Sequence, residues 1–119
     1  MSYSTEQEEF WAGEFGTSYI TRNNTATLVA SNVSLFSSAL STAEPISSCL
    51  EFGANIGLNL KALRVLFPTL LCSAIEINQT ASALIKDQVA DCQLVGKSII
   101  DYAPSSKFDL VLSKGVLIH

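Results

Sequence analysis

The sequence predicts one α/β domain built on a parallel sheet, and three observations carry that prediction. Short apolar segments of strand length alternate with segments of helical period. A glycine turn, Gly53-Ala54-Asn55-Ile56-Gly57, joins the first strand directly to a helix. The predicted strands end in polar residues, Glu51, Glu76, Ser98 and Ser113. Strands joined through helices imply right-handed crossovers and parallel pairing, and ligands of such sheets bind beyond the carboxyl ends of the strands. A chain of 119 residues holds at most one such domain and is long enough to bury a core.

Taken in order, Thr5 with Glu8, or Ser4 with Gln7, forms a capping box, so a first helix runs from about Thr5 to Ala12 and stops at Gly13. Aromatic residues crowd around it: Phe10, Trp11, Phe15 and Tyr19, followed by Arg22. Two readings stand for this leader, a helix packed on the core and a lid that covers a ligand. A second helix spans Thr25 to Leu40, with Val29, Val33, Phe36 and Leu40 on one face. Residues 1–44 therefore read as a helical cap and residues 45–119 as the sheet-bearing part.

Ile46 to Leu50 is compact enough for a buried strand, and the helix after the turn places Leu60, Leu63, Leu66 and Phe67 together before Pro68 stops it. Leu70 to Ile75 is the second strand, ending in Glu76. Asn78 or Thr80 caps a third helix that continues to Ala90 with Ala81, Leu84, Ile85 and Val89 inward. Gln93 to Val95 is a third strand, Gly96 to Asp101 a loop, and Phe108 to Ser113 a fourth strand, followed by Lys114 and Gly115.

The turn itself invites a nucleotide. Glycines permit the backbone to approach a ligand closely, and the amides at the start of the following helix face it. Gly53 and Gly57 are four apart, with Asn55 where the dinucleotide fingerprint has its middle glycine, so that fingerprint is not met. A tight strand-to-helix connection also uses glycines for purely structural reasons. Glu76 tilts the balance: it follows Gly57 by nineteen residues and closes the second strand, where a carboxylate accepts hydrogen bonds from the ribose hydroxyls of an adenosine ligand.

Composition narrows the alternatives. Hydrophobic residues make up 48% and charged residues 15%, as in a globular protein, and no apolar run is long enough for a bilayer. The net charge of −4, with no basic stripe, argues against nucleic acid as the partner. The polar, acidic start points to the cytoplasm. Cys49, Cys72 and Cys92 lie in or beside strands without metal-ligand spacing and read as free, buried thiols; no metal is expected.

The central stretch resembles motif I of the class I S-adenosylmethionine-dependent methyltransferases, an acidic residue closing the first strand followed by Gly-x-x-x-Gly, here Glu51 and then Gly53 to Gly57. Over nearly the whole chain the sequence is similar to the pseudaminic acid biosynthesis-associated methylases within that class. The segments that carry the likeness are Glu6 to Gly16 with Tyr19, Ile20, Arg22 and Asn23; Glu51 to Leu60; Ile75 to Asn78; and Phe108 to His119. The resemblance implies a Rossmann-like sheet ordered 3-2-1-4-5-7-6, of which strands 3-2-1-4 are expected here. This chain then holds the S-adenosylmethionine half, and the half that usually supplies the acceptor pocket is expected to lie outside it, leaving the piece inactive alone.

By the same resemblance, Gly53, Ala54, Asn55 and Gly57 pass the methionine moiety with Glu51 near its ammonium, and Glu76 holds the ribose. Ile77 packs on adenine, Ser98 and Ile99 flank its edge, and Lys114 and Gly115 line the methionine side. Trp11, Tyr19 and Arg22 would belong to the lid. The implied acceptor is a small molecule, a nonulosonic sugar or its nucleotide-linked form. His119, the sole histidine, is either a general base or a polar residue at the pocket mouth. A nicotinamide-dependent oxidoreductase and a non-catalytic cofactor-binding fragment remain the rival readings.

Overall fold

A computed structural model describes residues 5–12, 25–96 and 98–114, apart from the side chains of Gln7, Phe10 and Trp11. Helix α1 (Glu6–Ala12) starts where Thr5 Oγ1 accepts the Glu8 amide at 3.1 Å, the first half of the expected capping box. Helix α2 (Thr25–Ala39) sends Phe36 into the core, with Val29 and Val33 packed against the same cluster. It lies on helix α3 (Leu58–Leu66), whose Leu60, Ala62 and Leu63 are fully buried.

Four parallel strands form the sheet: β1 (Ser48–Phe52), β2 (Leu71–Ile75), β3 (Gln93–Val95) and β4 (Leu110–Ser113), in the order β3-β2-β1-β4. The order expected from the sequence is thus the order found. Helix α4 (Gln79–Gln88) links β2 to β3, and its Ile85 and Val89, the residue after its last turn, are buried beside Leu60 and Leu63. Central strands covered on both sides must be apolar along their length. Cys49, Leu50 and Glu51 of β1 and Cys72 to Ile75 of β2 are all buried. The edge strand β4 instead alternates half-buried and exposed residues.

Because successive strand residues point to opposite faces, Cys49, Glu51, Cys72 and Ala74 share the face that carries the helices. Cys49 stands opposite Cys72, and Cys92 precedes Gln93, the partner of Ser73, so three thiols follow one another across the sheet at one level. All three are free; Cys49 and Cys72 are buried, whereas Cys92, expected to be buried, is half-buried at the edge of the core. Burial pushes all three up, Cys49 to about 12 with Glu51 adding to the rise and Cys92 to about 11, while Arg64 opposes the rise at Cys72 and Cys92.

Two details differ from the sequence reading. The stretch read as an open loop after β3 contains a 3-10 turn, Ile99–Asp101, because the Ser98 hydroxyl accepts the Ile100 amide at 3.1 Å and caps it. The strands β1 and β4 each begin two residues later than expected, since Ser47 and Asp109 are taken up in a side-chain clamp. Asp109 Oδ2 accepts from the Ser47 amide at 2.7 Å and its hydroxyl at 2.8 Å, and the Asp109 amide donates to Ser48 Oγ at 2.9 Å. No helix among the described residues is long and apolar enough to cross a membrane.

Candidate functional site

Parallel strands deliver all their carboxyl ends to one edge, and there the candidate residues gather. The turn after β1 folds down onto the end of β2: the Gly53 and Ala54 amides both donate to the Ile75 carbonyl, at 2.8 and 3.1 Å. Gly53 (φ 67), Asn55 (φ 55) and Gly57 (φ 89) are all left-handed. Asparagine tolerates that region better than most side chains, which explains how Asn55 occupies a position that a glycine pattern would fill. Gly57 also lies 3.1 Å, measured from the position of a would-be Cβ, from Val89 Cγ2, so it has a packing reason to be glycine as well. It is the N-cap of α3 with no side-chain cap, which leaves the amides of the first helical turn to the loop.

Glu76 joins the two strand ends. Its Oε1 accepts the Asn55 amide at 2.7 Å and its Oε2 the Asn78 amide at 2.7 Å. Burial pushes this carboxyl upward, and the backbone N–H groups of Asn78, Asn55 and Ile77 pull it back. Three backbone N–H groups take three of the carboxylate's roughly four acceptor sites, which leaves about one for a ligand. Asn78 caps α4 through Oδ1, which accepts the Ala81 amide at 3.0 Å, so of the two caps open in the sequence this one is used.

Glu51 is fully buried at the end of β1. Asn59 Nδ2, from the first turn of α3, donates to Glu51 Oε2 at 2.6 Å. Burial raises the Glu51 carboxyl to about 8; the Asn59 bond and Lys114 oppose the rise and Glu76 adds to it. The acid is thus enclosed beneath the loop, not open at its surface.

Helix α1 crosses this same edge, and bonds from Ser98 and Asn78 help to hold it. Ser98 Oγ donates to Glu8 Oε2 at 2.7 Å, and Asn78 Nδ2 donates to the Ala12 carbonyl at 3.2 Å. The Ser98 hydroxyl, expected at a ligand edge, is therefore engaged by Glu8 and the Ile100 amide. Ala54 likewise gives its side chain to the core, leaving its backbone to the turn. Ile77 and Ile99 are half-buried nearby, and Lys114 is exposed just after β4. The side chain of Trp11, and Tyr19, Arg22, Gly115 and His119, lie outside the described residues.

Sequence reasoning missed Asn59 and Glu8. Asn59 carried a signal, a polar residue between Leu58 and Leu60 at the buried start of a helix. Glu8 carried none, since a capping-box glutamate ordinarily turns back on its own helix.

No family model matches the chain, and neither does any curated protein. Solved structures do match, at identities that establish the fold. The chain is similar to the plantazolicin methyltransferase BpumL in complex with S-adenosylhomocysteine, with TM-score 0.68, 17% identity, and 89% of this chain covering 44% of that one. It is similar to an amino pentose methyltransferase from Micromonospora echinaspora bound to S-adenosylmethionine, with TM-score 0.56, 14% identity, and 96% of this chain covering 44% of that one. Coclaurine N-methyltransferase, bound to N-methylheliamine and S-adenosylhomocysteine, aligns with TM-score 0.60 and 11% identity over 71% of this chain and 26% of that one. The chain thus spans less than half the length of these neighbours and has the Rossmann-like fold they share.

Proposed function

We propose that this chain is the cofactor-binding part of an S-adenosylmethionine-dependent methyltransferase that modifies a small-molecule acceptor. One observation carries the reading: Glu76, at the end of β2, reaches back to the amide of Asn55 in a left-handed turn after β1. That arrangement sets a carboxylate with an acceptor site to spare beside a backbone that a ligand would approach closely. It occurs in a fold shared with methyltransferases solved with bound S-adenosylmethionine or S-adenosylhomocysteine.

When bound, S-adenosylmethionine supplies an electrophilic methyl group. The residues of the chain hold and orient it: Glu76 takes the ribose hydroxyls, Gly53 to Gly57 line the methionine moiety, and Ile77 and Ile99 pack against adenine. By the sequence resemblance, Lys114 and Gly115 would line the methionine side, Arg22 would pair with the methionine carboxylate, and Trp11 and Tyr19 would belong to the lid. The chain's contribution to rate would be orientation of the bound cofactor against the acceptor. His119 would take the acceptor's proton where one must leave. The amino pentose methyltransferase among the neighbours favours a sugar acceptor, and the sequence resemblance narrows it to a nonulosonic sugar or its nucleotide-linked form, methylated in the cytoplasm.

Calorimetric titration with S-adenosylhomocysteine and with NAD tests the cofactor, and transfer of a labelled methyl group by the whole protein tests the reaction. Binding of the first ligand and not the second is the expected result. Binding of NAD alone would make the chain a dinucleotide protein and overturn the reading.

A further inference from the structure

Glu51 and Asn59 share a single hydrogen bond and leave two oxygens over. Glu51 Oε1 and Asn59 Oδ1 are both buried and have no hydrogen-bond partner among the described residues. Two orphaned acceptors in one buried pair are costly, and turning the amide over does not help, because its Nδ2 already serves Glu51 Oε2. What the pair lacks is a donor. A proton on Oε1 turns that oxygen into a donor and removes the cost of burying an unpaired charge.

The pair lies beneath the glycine turn, at the end of β1 on the helix-covered face. The ionisable groups around it come from every neighbouring element. Glu76 beyond β2 opposes ionisation of Glu51, and Lys114 beyond β4 favours it. Cys49 on β1, Cys72 on β2 and Cys92 before β3 all feel the Glu51 charge and are themselves held neutral by burial. No cation from the described residues pairs with the Glu51 carboxyl in a hydrogen bond. Burial thus holds the proton on Glu51, and a positive charge arriving at the turn would oppose it.

We propose that, within the cofactor reading above, Glu51 and Asn59 form a proton-holding pair, and that a ligand bringing positive charge to the glycine turn drives this proton off. The Oε1–H bond breaks, the proton passes to solvent, and the carboxylate remains to balance the ligand's charge. Direct contact is not required, because a charge acts across a buried, weakly screened space. S-adenosylmethionine is net positive through its sulfonium, and S-adenosylhomocysteine, which lacks the sulfonium, is not. The pair thus favours the methyl donor over the spent product as pH rises. Asn59 acts here as a positioning residue, through its bond to Glu51.

The test is calorimetric titration of the chain with S-adenosylmethionine, without acceptor, in phosphate and in Tris near neutral pH. These buffers take up protons with different heats. The expected result is release of about one proton per ligand bound, with affinity rising up to about tenfold per pH unit until the Glu51 value of about 8 and flat above it. S-adenosylhomocysteine should release fewer protons. Glu51→Gln should bind with no buffer dependence, and Asn59→Leu, which loses a bond to the ionised form, should move the midpoint of the pH profile upward. Identical heats in both buffers, with ligand bound, overturn this proposal alone. Absence of any binding overturns the cofactor reading along with it.

Discussion

The Asn55 amide donates to Glu76 Oε1 across 2.7 Å, although the two residues are 21 apart in sequence, and this bond hangs the glycine turn on the neighbouring strand. The same carboxylate holds the Asn78 amide at the start of α4. Glu76→Ala should consequently act twice. Affinity for S-adenosylhomocysteine should fall by roughly 1.5–3 kcal/mol through the lost ribose acceptor, and unfolding free energy by about 1–3 kcal/mol through two unpaired amides. Titration and urea unfolding measure the two losses, and a mutant unchanged in both would remove Glu76 from the site and from the scaffold.

Gly57 combines a left-handed backbone (φ 89) with a 3.1 Å approach to Val89. Gly57→Ala therefore meets both backbone strain and a methyl group that must shift, and should destabilise the fold by about 1–3 kcal/mol in a urea titration. Gly53, also left-handed, has ligand space as its reason to be small under the proposed function. Gly53→Val should remove S-adenosylhomocysteine binding from a chain whose circular dichroism remains native.

The buried Glu51 predicts a pH dependence of stability. Its folded value, about 8, lies above the ordinary value of 4.5, so between those two the folded chain binds more protons than the unfolded one. Stability from this group is complete below about 4.5 and is lost as pH rises towards 8, at up to about 1.4 kcal/mol per pH unit. Glu76, also shifted upward, adds to the same slope, and Asp109, held below its ordinary range by the Ser47 bonds, acts only at acid pH. The difference between wild type and Glu51→Gln isolates the Glu51 share. Urea midpoints measured from pH about 5 to about 8 should fall more steeply in the wild type; parallel curves would mean that Glu51 is already ionised.

The bond from Ser98 to Glu8 spans 90 residues and fastens α1 over the ends of the strands. A double-mutant cycle with Glu8→Gln and Ser98→Ala should show a coupling of about 0.5–1.5 kcal/mol. Hydrogen exchange at the amides of α1 should accelerate in either mutant. If α1 is part of a lid, the fluorescence of Trp11, the only tryptophan, should change when S-adenosylhomocysteine is added, and Arg22→Ala should lower affinity more than Lys86→Ala on α4. Constant fluorescence at saturation together with equal affinities would leave α1 as core packing.

The fold was readable because its cues are local. Period changes at Pro68 and Asn78, the glycine turn and the apolar run from Leu70 to Ile75 each mark an element within a few residues. The sheet order came from resemblance, and a strand pairing such as Cys49 with Cys72 has no local signature. The site was half legible. Glu76 stood out by its spacing, whereas the enclosure of Glu51 depends on Asn59 meeting it from the next helix. The use of Ser98 by Glu8 depends on a contact between the two ends of the described chain, which no window of sequence contains.

The row of thiols across β1, β2 and the start of β3 turns the protein into its own strand counter. Cys49 and Cys72 are buried within β1 and β2, and Cys92 is half-buried just before β3; burial raises all three thiols, so an alkylating reagent reaches Cys49 and Cys72 only when their strands come away and Cys92 more readily. A mass spectrum taken during partial unfolding then reads how far the sheet has unzipped and from which side: a rise of Cys92 modification above its native rate before Cys49 reacts marks fraying from β3 inward, and a rise at all three together marks an all-or-none loss of the sheet.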